Sequence, residues 1–196
     1  TGNAYSITIT DTSVDAAALN TLDGKTTVAI NASNITTLIG DAADLNTAYA
    51  ANGSSITGLG NEAATLSDTT LAVAVLNTLD GHTSGTVNAN TITTLTGSAS
   101  DLITAYASGG ISNLGDEAVS VSSGTASTSQ ANTLAAATSG VVTATLSDGD
   151  LSTLAGLTET GNAYTITITD TSVDAAALNT LDGKTTVAIN ASNITT

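Results

Sequence analysis

VDAAALNTLDGKTTVAINAS, residues 14–33, returns letter for letter at residues 173–192. The identity extends outward: residues 1–37 and 160–196 differ at one position, Ser6 against Thr165. A looser echo lies inside this 159-residue period. LNTLDG at 19–24 recurs at 76–81, ITTL at 35–38 recurs at 92–95, and DLNTAYA at 44–50 becomes DLITAYA at 101–107, each 57 residues on. ITGLGNEA at 56–63 becomes ISNLGDEA at 111–118, so the offset slips to 55 through a two-residue deletion in the preceding loop. Self-similarity at a fixed interval is the mark of stacked supersecondary units, none of which buries its apolar face alone.

Cut at equivalent points, the chain divides into layers at 4–25, 26–53, 54–83, 84–110, 111–140, 141–162 and 163–185, with a partial layer at 186–196. Alternating stretches read as strands: YSITIT (5–10), TVAIN (27–31), GTVNAN (85–90), AVSVSS (118–123), VVTATLS (141–147) and YTITIT (164–169). Ala/Leu-rich stretches at helical spacing follow: VDAAALNTL (14–22), DAADLNTAYA (41–50), TTLAVAVLNTL (69–79), SASDLITAYA (98–107), SQANTLAAAT (129–138) and GDLSTLAGL (149–157). Asp or Ser stands at several N-cap positions, and Gly24, Gly53, Gly81 and Gly140 close segments as C-terminal caps do. The unit is therefore read as strand, short connection, short helix. The predicted fold is a single continuous repeat solenoid over 1–196, a parallel β-solenoid with short helical segments. An α/β solenoid of leucine-rich-repeat type is the close alternative, although VAINASNITTL lacks that family's strict LxxLxLxxN spacing. At about 4.8 Å per layer the stack is a rod on the order of 35 Å long. The chain opens inside a loop and ends at ITT, one residue short of the Leu found at 38 and 95, which leads us to expect a window cut from a longer polymer of the same unit.

Composition agrees with thin layers. Hydrophobic residues make up 41% of the chain, yet Phe, Trp, Met, Cys and Pro are absent and only four Tyr occur, so Ala, Val, Ile and Leu do the packing. The net charge is −15, with Lys25 and Lys184 the only basic residues besides His82. Such a surface repels phosphate backbones and has nothing to hold an anionic membrane, which excludes nucleic-acid and polybasic membrane binding. No apolar run reaches the roughly 18 residues of a spanning helix, and TGNAYS at the start has no signal-peptide organisation.

LNTLDGKT, ITTLTGSASDLITAYAS and SGVVTATLSDGDLSTLAGLTETGNAYTIT resemble the tandem repeats of giant bacterial cell-surface and secreted proteins, cyanobacterial ones in particular. The resemblance covers the whole chain and rests on repeat phrasing. It implies an extracellular, structural or adhesive role in filaments, sheaths or surface stalks. Those proteins often carry calcium-binding GGxGxD nonapeptides; this sequence has none.

Candidate chemistry is sparse, and the expectation is no catalytic, cofactor-binding or metal residue and no enzyme. His82 takes the place of Lys25 at the 57-residue offset and reads as a solvent-facing loop residue. Without Cys, Arg or a second His, thiol nucleophiles, Ser–His–Asp triads and zinc sites have no parts. Glu62 and Glu117 occupy sister positions and read as a recurring structural pair rather than as glycosidase carboxylates. GLGNEA (58–63) approaches a dinucleotide fingerprint, but its sister NLGDEA puts Asn113 where Gly58 stands, so Gly60 and Gly115 are expected to supply a positive φ in a turn. Asp11, Asp15, Asp23, Asp80, Asp148, Asp150 and Asp182 sit at loop or cap positions. Helix capping is the leading role for them, and calcium shared between layers the other. Thr-rich strands raise ice binding, but Ala and Asn break the ranks in TVAIN and TVNAN. Asn31, Asn34, Asn52, Asn190 and Asn193 start N-x-S/T triplets, which in so Thr-rich a chain is close to chance. Tyr5, Tyr49, Tyr106 and Tyr164 are expected to pack over the edge of the thin core.

The functional expectation is a structural segment of an extracellular filament, sheath or adhesin stalk, partnered by its own repeats through self-association or chain continuation. The alternatives are a binding module for calcium, glycan or ice on a repetitive face, and a spacer for an enzyme elsewhere in a longer chain.

Overall fold

In the computed structural model, which describes residues 3–195, the chain is an α/β protein with parallel sheets. The first two residues of the first 37-residue copy, and Thr196 of the partial layer, lie outside the described residues. Nineteen elements follow in order among those described: β1 (Ser13–Asp15), α1 (Ala16–Asp23), β2 (Ile30–Asn31), β3 (Thr37–Gly40), α2 (Ala42–Ala51), β4 (Ile56–Thr57), β5 (Ala63–Leu66), β6 (Thr70–Ala72), α3 (Val73–Asp80), β7 (Val87–Asn88), β8 (Thr94–Ser98), α4 (Ala99–Ala107), β9 (Ile111–Ser112), β10 (Ala118–Ser123), α5 (Thr128–Ala137), β11 (Val142–Thr145), α6 (Leu151–Leu154), β12 (Ala163–Thr165) and α7 (Ala175–Asp182). They gather into two compact units. The first runs to Ile92 and includes Ser108–Leu114; the second comprises Thr93–Ala107 and the residues from Gly115 onward.

Within the first unit, β1, β3, β5, β7 and β9 lie side by side, and β2 pairs with β4. Every pairing is parallel and joins successive copies: Ser13 stands beside Thr37, Thr37 beside Ala63, Ala64 beside Val87, and Val87 beside Ile111. The second unit repeats the scheme with β8, β10, β11 and β12, pairing Ala118 with Thr94, Val119 with Val142 and Thr143 with Ala163. Parallel neighbours require a crossover, and here the helices and loops of each layer supply it. Helices pack on successive helices within each unit: α1 on α2, α2 on α3, α4 on α5 and α6 on α7.

The core is aliphatic, as the composition requires. Leu19, Leu38, Leu45, Ile30, Ile56 and Leu76 fill the first unit and Leu95, Leu102, Leu134 and Leu154 the second, each at most 1% exposed. Leu, Ala and Ile at i, i+3 spacing put one stripe of each short helix inward, as Ala42, Leu45, Ala48 and Tyr49 do in α2.

All six expected helical stretches are helices. The strand reading needed correction. Besides the alternating segments, strands precede the helices at β1, β3, β6 and β8, where Ser13–Asp15, Thr37–Gly40, Thr70–Ala72 and Thr94–Ser98 had read as connection or helix. These runs are three to five residues of mixed pattern, too short for a period to show. The reverse holds for YSITIT, which is no continuous strand: Thr8 makes only an isolated bridge to Asn31. The almost identical YTITIT contributes β12, because β11 lies beside it. Ser13–Asp15 is a strand where β3 pairs it, while the identical Ser172–Asp174 is not. Neighbours decide the local conformation of identical sequence.

Most N-caps follow the expected chemistry, although Ala72 before α3 makes no side-chain cap bond. Asp15, Asp41, Ser127, Asp150 and Asp174 accept from a backbone N–H three residues on. The hydroxyl of Ser152 and the amide of Thr153 pull Asp150 down to about 2. Gly24 and Gly81 do close helices, but in right-handed backbone, at φ −67° and −70°. Gly140 caps nothing, since α5 ends at Ala137 with Thr138 as its cap.

Candidate functional site

Two related constructions, one in each unit, hold the buried glutamates. In the first unit Tyr49 lies in the last turn of helix α2, the GLGNEA loop follows, and Thr83 comes 21 residues after Glu62. In the second unit Tyr106, Gly115–Glu117 and Thr138 hold the sister positions. Glu62 and Glu117 are 2% and 1% exposed. The Gly60 amide donates to both Glu62 carboxyl oxygens at 2.9 and 3.1 Å, and the Asn61 amide to one at 3.2 Å. Gly115 does the same for Glu117 at 3.2 and 2.9 Å. Folding the carboxyl back onto its own loop needs the turn that Gly60 and Gly115 make at φ +117° and +137°, as expected from sequence. The sister pair Gly58 and Asn113 also share positive φ, at +87° and +62°, Asn being the side chain that best tolerates it.

Two threonines further along the chain clamp the same residues. The hydroxyls of Thr83 and Thr138 donate to the main-chain carbonyls of Glu62 and Glu117 at 2.6 and 2.7 Å. They accept from the amides of Gly85 and Gly140, both at 3.0 Å. A β-carbon on either glycine would collide with that glutamate carbonyl, which is the work Gly140 does in place of a cap.

The tyrosines differ. Tyr106 donates its hydroxyl to Glu117, whereas the buried Tyr49 hydroxyl meets Glu62 without hydrogen-bond geometry. In both, burial first and the glutamate second push the phenol upward. Burial also pushes Tyr164 up to about 12, with Glu159 adding to it. A phenol whose proton is held more tightly in the fold gives stability that is full below pH about 10 and is lost as pH rises toward the folded value. For Tyr164 that is roughly 2–3 kcal/mol by pH 12. Thermal melting followed from pH 8 to 12 should therefore fall steeply only above about pH 10, in step with phenolate absorbance.

Tyr49 and Tyr164, at 4% and 1% exposure, pack as expected, but Tyr5 is 57% exposed. His82 is exposed, as read from sequence, with its ring stacked on Tyr49 at 5.8 Å between centroids.

The aspartates stitch layers together. Asp15 and Asp150 cap their own helices. Asp68, Asp148 and Asp170 reach back one layer, accepting from the first amides of α2, α5 and α6 (Ala42, Thr128 and Leu151) at 2.6–2.7 Å. Asp23 and Asp80 accept hydroxyls from Ser55 and Ser108 further along the chain at 2.8 and 2.7 Å. Asp11 and Asp182 are exposed. Sequence reasoning had grouped these residues without separating the three roles, and it missed Asp68 and Asp170. Their shared L/I-S/T-D phrasing, seen at 66–68, 146–148 and 168–170, is the signal that identifies them. Among the described residues no group of three or more His, Asp or Glu side chains is arranged to hold a metal ion, and no helix is long and apolar enough to cross a membrane.

No family model matches the chain, and neither a curated protein nor a solved structure matches it.

Proposed function

We propose that the chain is a structural repeat segment, an α/β solenoid whose layers stack into a stiff rod within an extracellular filament, sheath or long adhesin stalk. The observation that carries this reading is the parallel pairing of each copy with its successor, such as Ser13 with Thr37 and Thr37 with Ala63 in one unit and Thr94 with Ala118 in the other. Each layer serves as the floor of the next, so length and stiffness grow with copy number. The buried glutamates, threonines and tyrosines hold loops and neighbouring segments in place, and the reading assigns a catalytic role to none of them. An acidic surface keeps neighbouring rods apart, and the extracellular placement rests on the repeat phrasing alone.

The test is a length series. Chains carrying one, two and three 159-residue periods are compared by small-angle scattering. The longest dimension should grow by about 29 Å per period, six layers at the parallel-strand spacing. Growth as the cube root of mass would sink the rod. Calcium binding on a repetitive face, the rival role, is separated by melting with and without chelator. Since most of the aspartates already accept hydrogen bonds within the fold, the midpoint should stay within about 2 °C.

A further inference from the structure

Asn52 is the only asparagine in the chain that is followed by glycine. Asparagine is thermolabile, and most so in this pair, because glycine puts no side chain in the way when its amide nitrogen attacks the neighbouring carboxamide. Asn52 follows helix α2 and is exposed, so water reaches it. Yet both halves of its amide are in use. Nδ2 donates to the Leu59 carbonyl at 2.9 Å, and Oδ1 accepts from the Leu59 amide at 3.2 Å. Only a carboxamide offers an acceptor oxygen and a donor NH2 side by side for such a bracket. The attacking group is held as well. The Gly53 amide donates to the Ile56 carbonyl at 2.7 Å, with Gly53 at φ +84°. Ring closure needs the Gly53 nitrogen eclipsed with the Asn52 Cα–Cβ bond, and at the observed ψ of 133° an L residue keeps the two well apart.

We propose that Asn52 is a self-modification site, whose deamidation the fold holds back and whose product unlatches the loop carrying Glu62. The Gly53 nitrogen gives its proton to solvent and bonds to Cγ of Asn52. The Cγ–Nδ2 bond breaks, and the side-chain nitrogen departs as ammonia with a proton taken from water. Water then opens the five-membered imide at either of its two carbonyls. The residue left at position 52 is an aspartate, or the isomer in which the main chain runs through the side-chain carboxyl. Nothing is oxidised or reduced, and water is the sole co-reactant.

Either product loses the donor that holds the Leu59 carbonyl and sets an acceptor-only oxygen against it instead. The isomer also lengthens the main chain between α2 and β4. Leu59 is buried, and the next residue is Gly60, whose amide holds the Glu62 carboxyl. Asn52 Nδ2 itself lies 4.0 Å from where a β-carbon on Gly60 would stand. A loosened bracket therefore reaches the buried carboxylate through a single residue. The sister stretch ASGGIS, at 107–112, is two residues shorter and has no asparagine, so the reaction acts on one of the two glutamate loops. It needs that loop alone and no stacking of copies, so it goes beyond the rod reading without resting on it.

The test incubates the full chain in mildly alkaline buffer, folded and in urea above its midpoint, and follows the peptide around Asn52 by mass. Conversion of amide to acid should be at least about tenfold slower in the folded chain, where it waits for local opening. In urea Asn52 should convert ahead of every other asparagine. Gly53→Asn brings a side chain that tolerates left-handed backbone and meets nothing within 4 Å there. It should abolish the lead of Asn52 in urea and leave the folding midpoint close to the parent's. Asn52→Asp, the product made directly, should lower the urea midpoint, and a chain aged in urea and refolded should shift toward that value. Equal rates in folded and unfolded chains, no lead for Asn52 in urea, a Gly53→Asn chain that converts as fast as the parent, or a parental midpoint for Asn52→Asp overturns the proposal.

Discussion

Replacing Glu117 with alanine is expected to cost the second unit about 3–5 kcal/mol, read as a fall in its urea midpoint. The loss has two sources. The Gly115 amide loses both of its acceptors, and the half-buried Tyr106 hydroxyl loses the buried carboxylate it donates to. A buried donor left without a partner costs about 1–3 kcal/mol. Glu117→Gln should recover part of the loss, because an amide oxygen still accepts from the loop while its NH2 group faces donors. The sister change Glu62→Ala should cost about 1 kcal/mol less, since Tyr49 gives no hydrogen bond to Glu62. Equal midpoints for Glu117→Ala and the parent would mean that the loop holds its shape without the carboxyl, and the junction would lose its structural meaning.

The second expectation uses the duplicate as its own control. Leu19→Ala and Leu178→Ala are the same change in the same twenty-residue sequence. Leu19 is 1% exposed beneath α2, and its truncation should cost about 2–5 kcal/mol. Leu178 is only half-buried, and its truncation should cost less than about 1.5 kcal/mol. Urea titrations of the two variants give the difference directly. Intrinsic helix propensity cancels, because the substituted helices are identical, so what remains is the contribution of the covering layer. Indistinguishable costs would rule out the next copy as the source of burial.

Much of this was legible in the letters. Repetition pointed to segments that pair in parallel, and Ala/Leu periodicity located the helices because all but the four-residue α6 span two turns or more of a consistent stripe. Gly60 and Gly115 were readable because only a turn with positive φ explains glycine at that place in both sisters. The strands before the helices were not, since Thr37–Gly40 and Thr70–Ala72 offer too few residues for alternation to declare itself. Nor could the fate of Glu62 and Glu117 be read beyond a structural pairing: the fold of each carboxyl onto the amides behind it depends on the loop's path, and the tyrosine that meets it comes from the helix before. Asp68 and Asp170 escaped notice because their partners, Ala42 and Leu151, lie about a layer upstream and carry no distinguishing side chain.

Those backward-reaching aspartates bear on how the chain emerges from the ribosome. Helix α2 lacks the acceptor for its first amide until Asp68 has been made, and α5 and α6 wait likewise for Asp148 and Asp170. Order in the nascent polymer therefore trails synthesis by one repeat, and the youngest helix stays provisional until its successor is translated. Growth has a direction, from the amino end forward, written into single carboxylates.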